Sequence, residues 1–573
     1  MLFNQNSNIA LKLAAVKEKI EHTANNSKFK KVAGLILSIL IFTVASASVL
    51  YYIFFASQGE FHSDCTDTII WANASNESGH MFDTDFNYAC FLPFGISLIM
   101  QPLVAVFGLS LTAHHLGMAA FFILLAVFMI LLLREFKFSI NRSLIGTSIF
   151  LAFTLSSKKM REIFWGHSIY YTLGILFVVI GCFILFKLFN TLDKLLNDPS
   201  AEKNTRIKFI VLSIIFFVFT MFTATDGISA MSIYCLPVIG AICMQHILDK
   251  RIRLFSKHTF IIFIMAALLL LSLLFGAKIL AFWQGDMTAA YQDTYSRFTE
   301  MQNWMDNLHN VPLAWLRLFG VEAPTDKMLS DPEGITNMIR IFTAALTAVI
   351  PVIATCFYPK YKNDMTGKFI RIFIWIHWAV TALVLSGFVF GMLGSADWRL
   401  VPIIGTALIL SIIFIAHTVC SHVTFGRFSA LLIIPLFILS FINIKEVVKM
   451  PYDNYKSNIV FSIADVLESN DLTYGYASFW SANTVTLISG NKIKVRDVAI
   501  DNGSVNPGWL QTDNKWYKDQ GPDQKEYFLL LSEDEMNMIY ESGNTILNDS
   551  VRQLDPVINE KPYHIFIFDK NIF

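Results

Sequence analysis

The chain has 573 residues, of which 54% are hydrophobic and only 15% are charged, and its mean hydropathy is +0.52. Soluble domains carry about 25% charged residues, so this composition excludes an ordinary soluble protein and indicates a polytopic membrane protein. The 44 basic and 44 acidic residues balance, and no nucleic-acid-binding motif is present, so we expect no nucleic-acid partner. Richness in Lys, Asn, Ile and Phe suggests a bacterial source.

Six lysines in residues 1–31 precede the first apolar run, Val32–Phe55. A membrane span needs about 20 apolar residues, whereas a signal-peptide core has about 7–15, so the run predicts an uncleaved first span. Basic residues before it place the segment 1–31 in the cytoplasm.

Ten further apolar runs predict eleven spans in total. The basic stretches 134–142, 187–208, 249–258 and 358–368 then all fall on the cytoplasmic side, as the positive-inside rule requires. The ten runs lie near 115–133, 143–157, 168–187, 209–223, 228–247, 259–282, 336–357, 370–392, 400–420 and 428–444.

Residues 91–110 are apolar enough to span, but a crossing there would turn every basic loop outward. Two prolines and two glycines also interrupt the segment. We therefore expect interfacial helices on the outer leaflet. The first loop (56–114), the loop 283–335 and the C-terminus then face the exterior of what we expect to be a bacterial plasma membrane.

The C-terminal segment, 445–573, differs from the transmembrane domain, 32–444. It carries 19 acidic and 12 basic residues, a net charge of −7. Strand-like runs such as "KIKVRDVAI" and "EYFLLLS" alternate with helix-like ones such as "NIVFSIADVLES". The alternation predicts an extracytoplasmic α/β domain.

Polar residues collect at the outer ends of the spans, and the first group is Asp64 and Asp67 in "SDCTDTIIWA". One interpretation makes Ser63 or Asp64 a helix N-cap, with Asp67 favoured by the helix dipole. The other makes one carboxylate a general base that takes a proton from an acceptor hydroxyl. The two interpretations are compatible, because a capped helix also holds a base rigidly.

The second group is "SSKKMREIFWGHSIYY", whose Lys158, Lys159 and Arg161 break the positive-inside rule. An anionic ligand at the outer leaflet, such as the phosphate of a lipid carrier, would explain these cations, and so would ordinary lipid headgroups. His167 is either a ligand or a packing residue.

Two short outer turns, "TATDGIS" and "GSADWRLVP", carry Asp226 and Arg399. Arg399 begins a span and is either a phosphate-binding fork or a capping residue. Asp226 is either a substrate-binding or a turn residue. The loop 283–335 is long enough to serve as a lid or to be purely structural.

The seven cysteines lack metal-ligand spacing, so we predict no zinc site, although a divalent metal remains possible. Cys65 and Cys90 both fall in the outer loop, where oxidising conditions would permit a disulfide.

Taken together, these features resemble the GT-C superfamily of integral-membrane glycosyltransferases, which includes the protein O-mannosyltransferases and the lipid A aminoarabinose transferase. The resemblance covers the whole chain but is architectural, and its short acidic motif is loose: the family's motif is commonly Asp-Glu, whereas Cys65 and Thr66 separate the two aspartates here. It implies that Asp64 or Asp67 is the catalytic base and that Arg399 contacts a carrier phosphate.

The resemblance also implies the reaction and its partners. The donor is a polyprenyl-phosphate sugar, the acceptor is a glycan, lipid or protein, and the transfer inverts the anomeric centre. Cations such as Lys159, Arg161 and Arg399 would stabilise the departing phosphate. The alternatives are a transporter or flippase for a lipid-linked glycan, which the nearly charge-free spans disfavour, and a non-catalytic membrane scaffold.

Overall fold

The computed structural model describes residues 27–197, 203–249, 256–285, 287, 289–322, 326–394, 396–421 and 423–573. Most of the predicted cytoplasmic segment, 1–31, lies outside these residues. The remainder forms a helical bundle followed by a region built around a β-sheet. The predicted fold class, a polytopic helical membrane protein with a C-terminal α/β region, is confirmed.

The helices of the bundle are numbered in chain order. They are α1 (Ser27–Phe54), α2 (Asp67–Ser78), α3 (Ser97–Phe107), α4 (Leu111–Glu135), α5 (Ile140–Phe153), α6 (Lys158–Trp165), α7 (Tyr170–Asn197), α8 (Lys203–Thr223), α9 (Gly227–Ala230), α10 (Leu236–Leu248), α11 (Lys257–Gln284), α12 (Ala290–Tyr295), α13 (Asn303–Leu318), α14 (Pro332–Cys356), α15 (Met365–Phe390), α16 (Val401–Ser421), α17 (Val423–Leu431) and α18 (Ile433–Lys449).

Within the described residues, nine helical segments are long and apolar enough to cross a membrane, compared with the eleven predicted spans. One difference is the segment Lys203–Leu248, which contains two of the predicted runs. It folds back on itself near Gly227, whose φ is +72°. The Thr220 hydroxyl therefore lies 3.1 Å from that of Tyr234, fourteen residues further along the chain.

The other difference is α5, which replaces the predicted span 143–157. It has only 14 residues, or about 21 Å at 1.5 Å per residue, which is shorter than a hydrocarbon layer of about 30 Å. It nevertheless runs along α1 from the end that holds Asn141 and Gly34 to the end that holds α6, where Arg161 pairs with Glu60.

Residues 91–110 contain only the 11-residue helix α3, which is too short to span and packs against α2 and α4. This agrees with the prediction that the segment does not cross.

The basic loops lie together at one end of the bundle. Lys137 is 3.7 Å from Asp364, which joins the loop between α4 and α5 to the loop before α15. At the same end, Lys187 pairs with Glu135 at 2.7 Å, and the side chain of Asn141 packs against Gly34 near the start of α1. This grouping fits the predicted cytoplasmic face.

The C-terminal region contains α19 (Ile459–Ser469), α20 (Phe479–Ile488) and α21 (Glu533–Glu541). The strands of the chain are β1 (Phe86–Asn87), β2 (Tyr474–Ala477), β3 (Lys494–Asp501), β4 (Ser504–Pro507), β5 (Thr512–Asp513), β6 (Tyr527–Ser532), β7 (Arg552–Leu554), β8 (Val557–Ile558) and β9 (Lys561–Phe568). The quoted strand-like and helix-like runs fall on β3, β6 and α19.

Seven strands form one mixed sheet in the order β4-β3-β2-β6-β9-β7, with β8 paired to β9. The central strand β2 is parallel to both β3 and β6, and the other pairs are antiparallel. Apolar side chains from α19, α20 and the sheet form its core, including Leu467, Val485, Val495, Leu530 and Ile565.

This region packs on the first loop, opposite the basic loops. Strand β1 of the loop pairs with β5, and the Trp71 indole donates a hydrogen bond to the Gln511 side chain. The Asn458 amide donates to the carbonyl oxygens of Gln58 and Phe61, at 2.8 Å each. The loop and the sheet region therefore form one continuous surface above the bundle.

Candidate functional site

Asp64 lies in a short 3-10 turn, Ser63–Thr66, that leads directly into α2. Its carboxylate is partly open, with 35% of the side chain exposed, and lies 3.9 Å from the His62 ring. The prediction that Ser63 or Asp64 caps the helix is wrong, because α2 begins at Asp67 and the capping position falls on Thr66. The Ser63 hydroxyl instead donates to the Phe479 carbonyl of the sheet region at 2.5 Å.

Asp67 occupies the first turn of α2, as predicted, but it is buried. One carboxylate oxygen lies 3.0 Å from Nε2 of His167, and the other has no hydrogen-bond partner among the described residues. Burial raises the pKa of Asp67 to about 6, although His167 opposes the shift. Burial alone would lower the pKa of His167, but contact with the Asp67 carboxylate raises it above its ordinary value.

Glu162 joins the two predicted groups, and sequence reasoning missed it. Its buried carboxylate lies 3.2 Å from His62 and 2.7 Å from Lys159. Burial alone would raise the pKa of Glu162, but the contacts with His62 and Lys159 lower it to about 2. The Glu162 carboxylate therefore holds Lys159 next to the segment that carries Asp64. Only the i, i+3 spacing of Lys159 and Glu162 could have signalled this pair.

Arg161 contacts a carboxylate that the sequence did not single out. Its guanidinium pairs with Glu60 at 2.5 Å, and both side chains are nearly buried. The Tyr52 hydroxyl also donates to Glu60, at 2.8 Å. The charge of Arg161 is thus largely balanced inside the protein. Its predicted role in substrate binding stays a prediction.

Arg399 lies in the 3-10 turn that precedes α16, next to the other cations. The Lys159 ammonium group is 4.7 Å from the centre of the Trp398 ring. The Nη1 atom of Arg399 is buried without a hydrogen-bond partner among the described residues. Arg399 lines a cavity of about 120 Å³ together with Tyr170, Tyr171, Ser229, Ser232, Tyr291 and Tyr295.

Tyr291 connects this cavity to Asp64, which is not among the residues that line it. Burial raises the pKa of Tyr291, the Asp64 charge raises it further and the Arg399 charge lowers it. Both charges therefore lie within electrostatic reach of one tyrosine hydroxyl.

Lys158 is exposed and lines a different cavity, of about 960 Å³. Eight basic and four acidic side chains surround this basic cavity. They are Lys158, Lys159, Arg161, Arg317, Lys327, Arg340, Lys445 and Lys449, with Glu60, Glu322, Glu333 and Glu446.

Asp226 is buried away from these groups. One of its carboxylate oxygens accepts a hydrogen bond from the Phe94 backbone N–H at 2.7 Å. This contact joins the turn after α8 to the segment before α3. Asp226 does not line the cavities described above, so its predicted role in substrate binding also stays a prediction.

His62, Asp64 and Glu162 could hold a divalent cation, because their ligand atoms all lie within 4.8 Å of one another. The sequence prediction of no zinc site considered only the cysteines, whereas three nitrogen and oxygen ligands are the number that a catalytic zinc ion uses. In this structure Lys159 already balances the charge of Glu162, so a cation would compete with that ammonium group.

The disulfide that the outer loop would permit between Cys65 and Cys90 is not formed. Both thiols are free and buried. Cys65 instead packs against the loop after α6, where a Cβ atom on Gly166 would lie 3.1 Å from its sulfur atom. The glycine lets the loop approach closely enough for His167 to reach Asp67.

The fold and site define a class: a helical membrane protein with an ionisable cluster at one end of its bundle, covered by an α/β region. No protein-family model and no curated protein matches the chain. Among solved structures, the chain is similar in fold to an archaeal oligosaccharyltransferase and to ArnT.

One similar structure is the apo oligosaccharyltransferase of Archaeoglobus fulgidus, with a TM-score of 0.45 and 11% identity over 82% of this chain and 64% of that one. The archaeal oligosaccharyltransferase AglB from Archaeoglobus fulgidus, in complex with an inhibitory peptide and a dolichol-phosphate, has a TM-score of 0.43 at 11% identity, over 81% of this chain and 64% of that one. The chain thus spans less than two thirds of the archaeal enzyme in these matches. ArnT from Cupriavidus metallidurans, bound to undecaprenyl phosphate, has a TM-score of 0.39 at 10% identity, over 94% and 98%.

Proposed function

We propose that this protein is a GT-C-type glycosyltransferase that moves a sugar from a polyprenyl-phosphate carrier to an acceptor hydroxyl on the outer face of the membrane. The observation that carries the proposal is a run of contacts from Asp64 to the turn that holds Arg399. The partly open Asp64 carboxylate lies 3.9 Å from His62, which lies 3.2 Å from Glu162. Glu162 pairs with Lys159, whose ammonium group lies over the Trp398 ring. The Nη1 atom of Arg399, the next residue, is buried without a hydrogen-bond partner among the described residues. An acid–base group and an anion-binding group at such close quarters suit transfer from a phosphate leaving group.

Asp64 is the better candidate for the base, because Asp67 is buried and engaged by His167. In the proposed step, Asp64 takes the proton of the acceptor hydroxyl as its oxygen attacks the anomeric carbon of the donor sugar. The bond from that carbon to the phosphate oxygen breaks, and the polyprenyl phosphate leaves with the bonding electrons. Attack from the opposite face inverts the anomeric centre.

Arg399 would bind the departing phosphate, with Lys159 next to it across Trp398. An apolar cavity of about 420 Å³ begins at Leu400, the residue after Arg399, and is lined by Trp315, Trp378 and Ile403 among others. Such a cavity could hold the first isoprene units of the carrier while its phosphate faces Arg399. Lys158 and Arg161 would add to the positive potential on this side.

His62, Asp64 and Glu162 would hold a divalent cation if the reaction uses one, and the cation would make the acceptor hydroxyl more acidic. His167 would keep Asp67 oriented beside Asp64.

The test is a transfer assay with the purified protein and a panel of polyprenyl-phosphate sugars, with and without a chelator. General-base catalysis contributes about 10²–10⁴-fold, so Asp64→Asn should lower turnover by at least about a hundredfold while leaving carrier binding nearly intact. Arg399→Ala should weaken carrier binding. Asp85→Asn and Arg552→Ala, at exposed positions, are the matched controls.

The outcomes separate the alternatives. If Asp67→Asn abolishes turnover and Asp64→Asn does not, the base is Asp67. If neither substitution matters, the aspartates are structural and the proposed mechanism is wrong. Carrier binding with no transfer from any donor of the panel would favour a transporter or scaffold.

A further inference from the structure

A further pocket lies in the C-terminal region, at the carboxyl ends of the parallel strands. Strand β2 continues into α20 and then to β3 on one side of the sheet, whereas β6 continues into α21 and then to the strands on the other side. The connections therefore diverge between β2 and β6. In open α/β sheets, ligands bind in the crevice at such a point.

A cavity of about 280 Å³ occupies this crevice, and we call it the aromatic pocket. Its volume is close to the lower end of ligand pockets, which hold roughly 300–1,000 Å³, and suits one or two sugar rings. It is lined by Ser478–Trp480, Asp497–Ile500, Trp509, Leu510, Glu535 and Met538.

Two tryptophans border the pocket with their side chains open to solvent. Trp480 is 61% exposed and Trp509 is 45% exposed, whereas the other nine tryptophans of the chain, all described, are more enclosed. An indole that remains exposed removes little apolar surface from water on folding and therefore contributes little to stability. Its flat face is well suited to pack against the C–H face of a pyranose ring, while the ring hydroxyls stay free for hydrogen bonds.

Asp497 supplies the polar group of the pocket. The residue is only 4% exposed, and one of its carboxylate oxygens is buried without a hydrogen-bond partner among the described residues. Gly508 packs directly against this carboxylate, where any side chain would collide with it. A buried carboxylate oxygen without a partner is destabilising, and a ligand in the pocket would supply the missing hydrogen-bond donor.

The aromatic pocket adjoins the segment that carries Asp64. The Trp480 ring is centred 6.2 Å from the His62 ring, and His62 lies 3.9 Å from Asp64. A ligand in the pocket could therefore extend past Trp480 to the carboxylate.

We propose that the aromatic pocket binds the carbohydrate part of the acceptor, so that the acceptor of this protein is a glycan or glycoconjugate. The role of the bound glycan as the acceptor rests on the proposed function. The two indoles would stack on sugar rings, and Asp497 would accept hydrogen bonds from sugar hydroxyls. A neighbouring hydroxyl would then reach Asp64.

The test is binding of the purified full-length protein to an array of mono- and oligosaccharides that also carries serine- and threonine-containing peptides. Wild type should bind one class of glycan, and Trp480→Ala or Trp509→Ala should weaken that binding by at least about tenfold. Tyr540→Ala, an exposed aromatic of the same region outside the pocket, should leave it unchanged. Absence of any glycan binding that depends on the two tryptophans would overturn the proposal, and tryptophan-dependent binding of the peptides would assign the pocket to a polypeptide instead.

Asp64→Asn separates this inference from the proposed function, because it should abolish transfer but retain glycan binding. If transfer fails in wild type while glycan binding depends on Trp480, the pocket stands as a carbohydrate site and the reaction is wrong.

Asp497→Asn distinguishes a ligand contact from a structural one. Burial raises the pKa of Asp497 from 3.8 to about 7, so the folded state loses stability as the pH rises from the lower to the higher value, and the loss is complete above 7. The amide variant lacks this cost and should melt higher than wild type at pH 8, while its glycan affinity falls by about tenfold. A variant that binds glycan normally would overturn the role of Asp497, and so would one that melts lower at pH 8.

Discussion

At the scale of single residues, Asp64 and Asp67 differ far more than their spacing suggests. Asp64 is partly open to solvent, whereas Asp67 is buried against His167. Two neighbouring carboxyl groups in such different environments can have different roles in one reaction. This difference is the reason that the proposed function assigns proton transfer to Asp64 and positioning to Asp67.

Protonation of Asp67 should make turnover fall at acid pH, which gives the pH profile an acid limb. Because burial raises its pKa to about 6, Asp67 becomes protonated as the pH falls through 6 and loses its charged contact with His167. We expect wild-type turnover to fall over this range. Asp67→Asn should show a low turnover without the limb, since an amide does not titrate. Turnover measured from pH 5 to 8 checks this, and an unchanged acid limb in the variant would contradict it.

Glu162 should stabilise the fold above its ordinary pKa. Its folded-state pKa of about 2 lies below the usual carboxyl value, so its contribution is present above about pH 4.5 and is lost as the pH falls toward 2. Removing one partner of a buried ion pair costs about 3–5 kcal/mol. Because Lys159 and His62 are partly exposed, we expect a smaller loss, about 1–3 kcal/mol, in Glu162→Gln at pH 7.

The measurement is thermal unfolding of both proteins in detergent between pH 3 and 8. The difference in melting temperature should narrow toward acid pH. Glu541→Gln, on the exposed surface of α21, is the control and should melt like wild type throughout.

At the scale of elements, the loop between α6 and α7 decides the geometry of the site. It brings His167 to Asp67 by passing over Cys65 at Gly166, where only a hydrogen atom fits without a shift. Neither the short helix α6 nor this close approach has a pattern that sequence periodicity could reveal.

Gly166→Ala should displace the loop and lower turnover, because the added Cβ atom would lie 3.1 Å from the Cys65 sulfur. Replacing Cys65 with alanine removes that sulfur but leaves the Glu162 carbonyl oxygen 3.3 Å from the added Cβ atom, so the double variant Gly166→Ala with Cys65→Ala should recover part of the activity. Turnover of the two single variants and the double variant completes the cycle. Additive losses in the double variant would show that this contact is not the cause.

At the scale of the whole molecule, the sheet region is fixed to the first loop by the β1–β5 pair and by Trp71. This attachment brings Trp480 next to His62 and Phe479 next to Ser63, at the edge of the candidate site. The two regions should accordingly behave as one unit in unfolding.

Trp71→Phe keeps an aromatic ring but removes the N–H group that donates a hydrogen bond to Gln511. The buried amide oxygen of Gln511 is then unsatisfied, at a cost of about 1–3 kcal/mol. We expect faster hydrogen exchange in residues 86–87 and 511–513. Trp375→Phe removes a similar bond to Tyr358 in the bundle and should not affect those residues. Equal exchange in wild type and Trp71→Phe would contradict a joining role for this bond.

The orientation of the bundle can be measured with single cysteines. Ile140→Cys lies in the end that holds the basic loops, and Val557→Cys lies in the sheet region; both side chains are exposed. In intact cells, an impermeant thiol reagent should label the Val557→Cys variant more strongly than it labels the parent chain. It should leave position 140 unlabelled. Labelling at 140 would reverse the assignment of the outer face.

The sequence alone determined the class and the layout of this protein. Bilayer thickness and the charge difference between the two faces of a membrane constrain local composition. Long apolar runs and basic loops therefore predicted the bundle, its two ends and the non-crossing segment 91–110. Alternating runs after residue 445 predicted the α/β region for the same reason. The acidic pair and the outer cations were also visible, because ionisable residues are rare in such a chain.

Only the tertiary structure decided which of these residues meet. Glu162 and Glu60 neutralise cations that the sequence showed as free, and Asp226 turned inward to a backbone N–H. The aromatic pocket joins residues of β3 with residues of the segments that follow β2, β4 and β6, far apart in the chain. Ion pairs, close approaches and pockets depend on distances between remote segments, and those distances are set by packing rather than by local pattern.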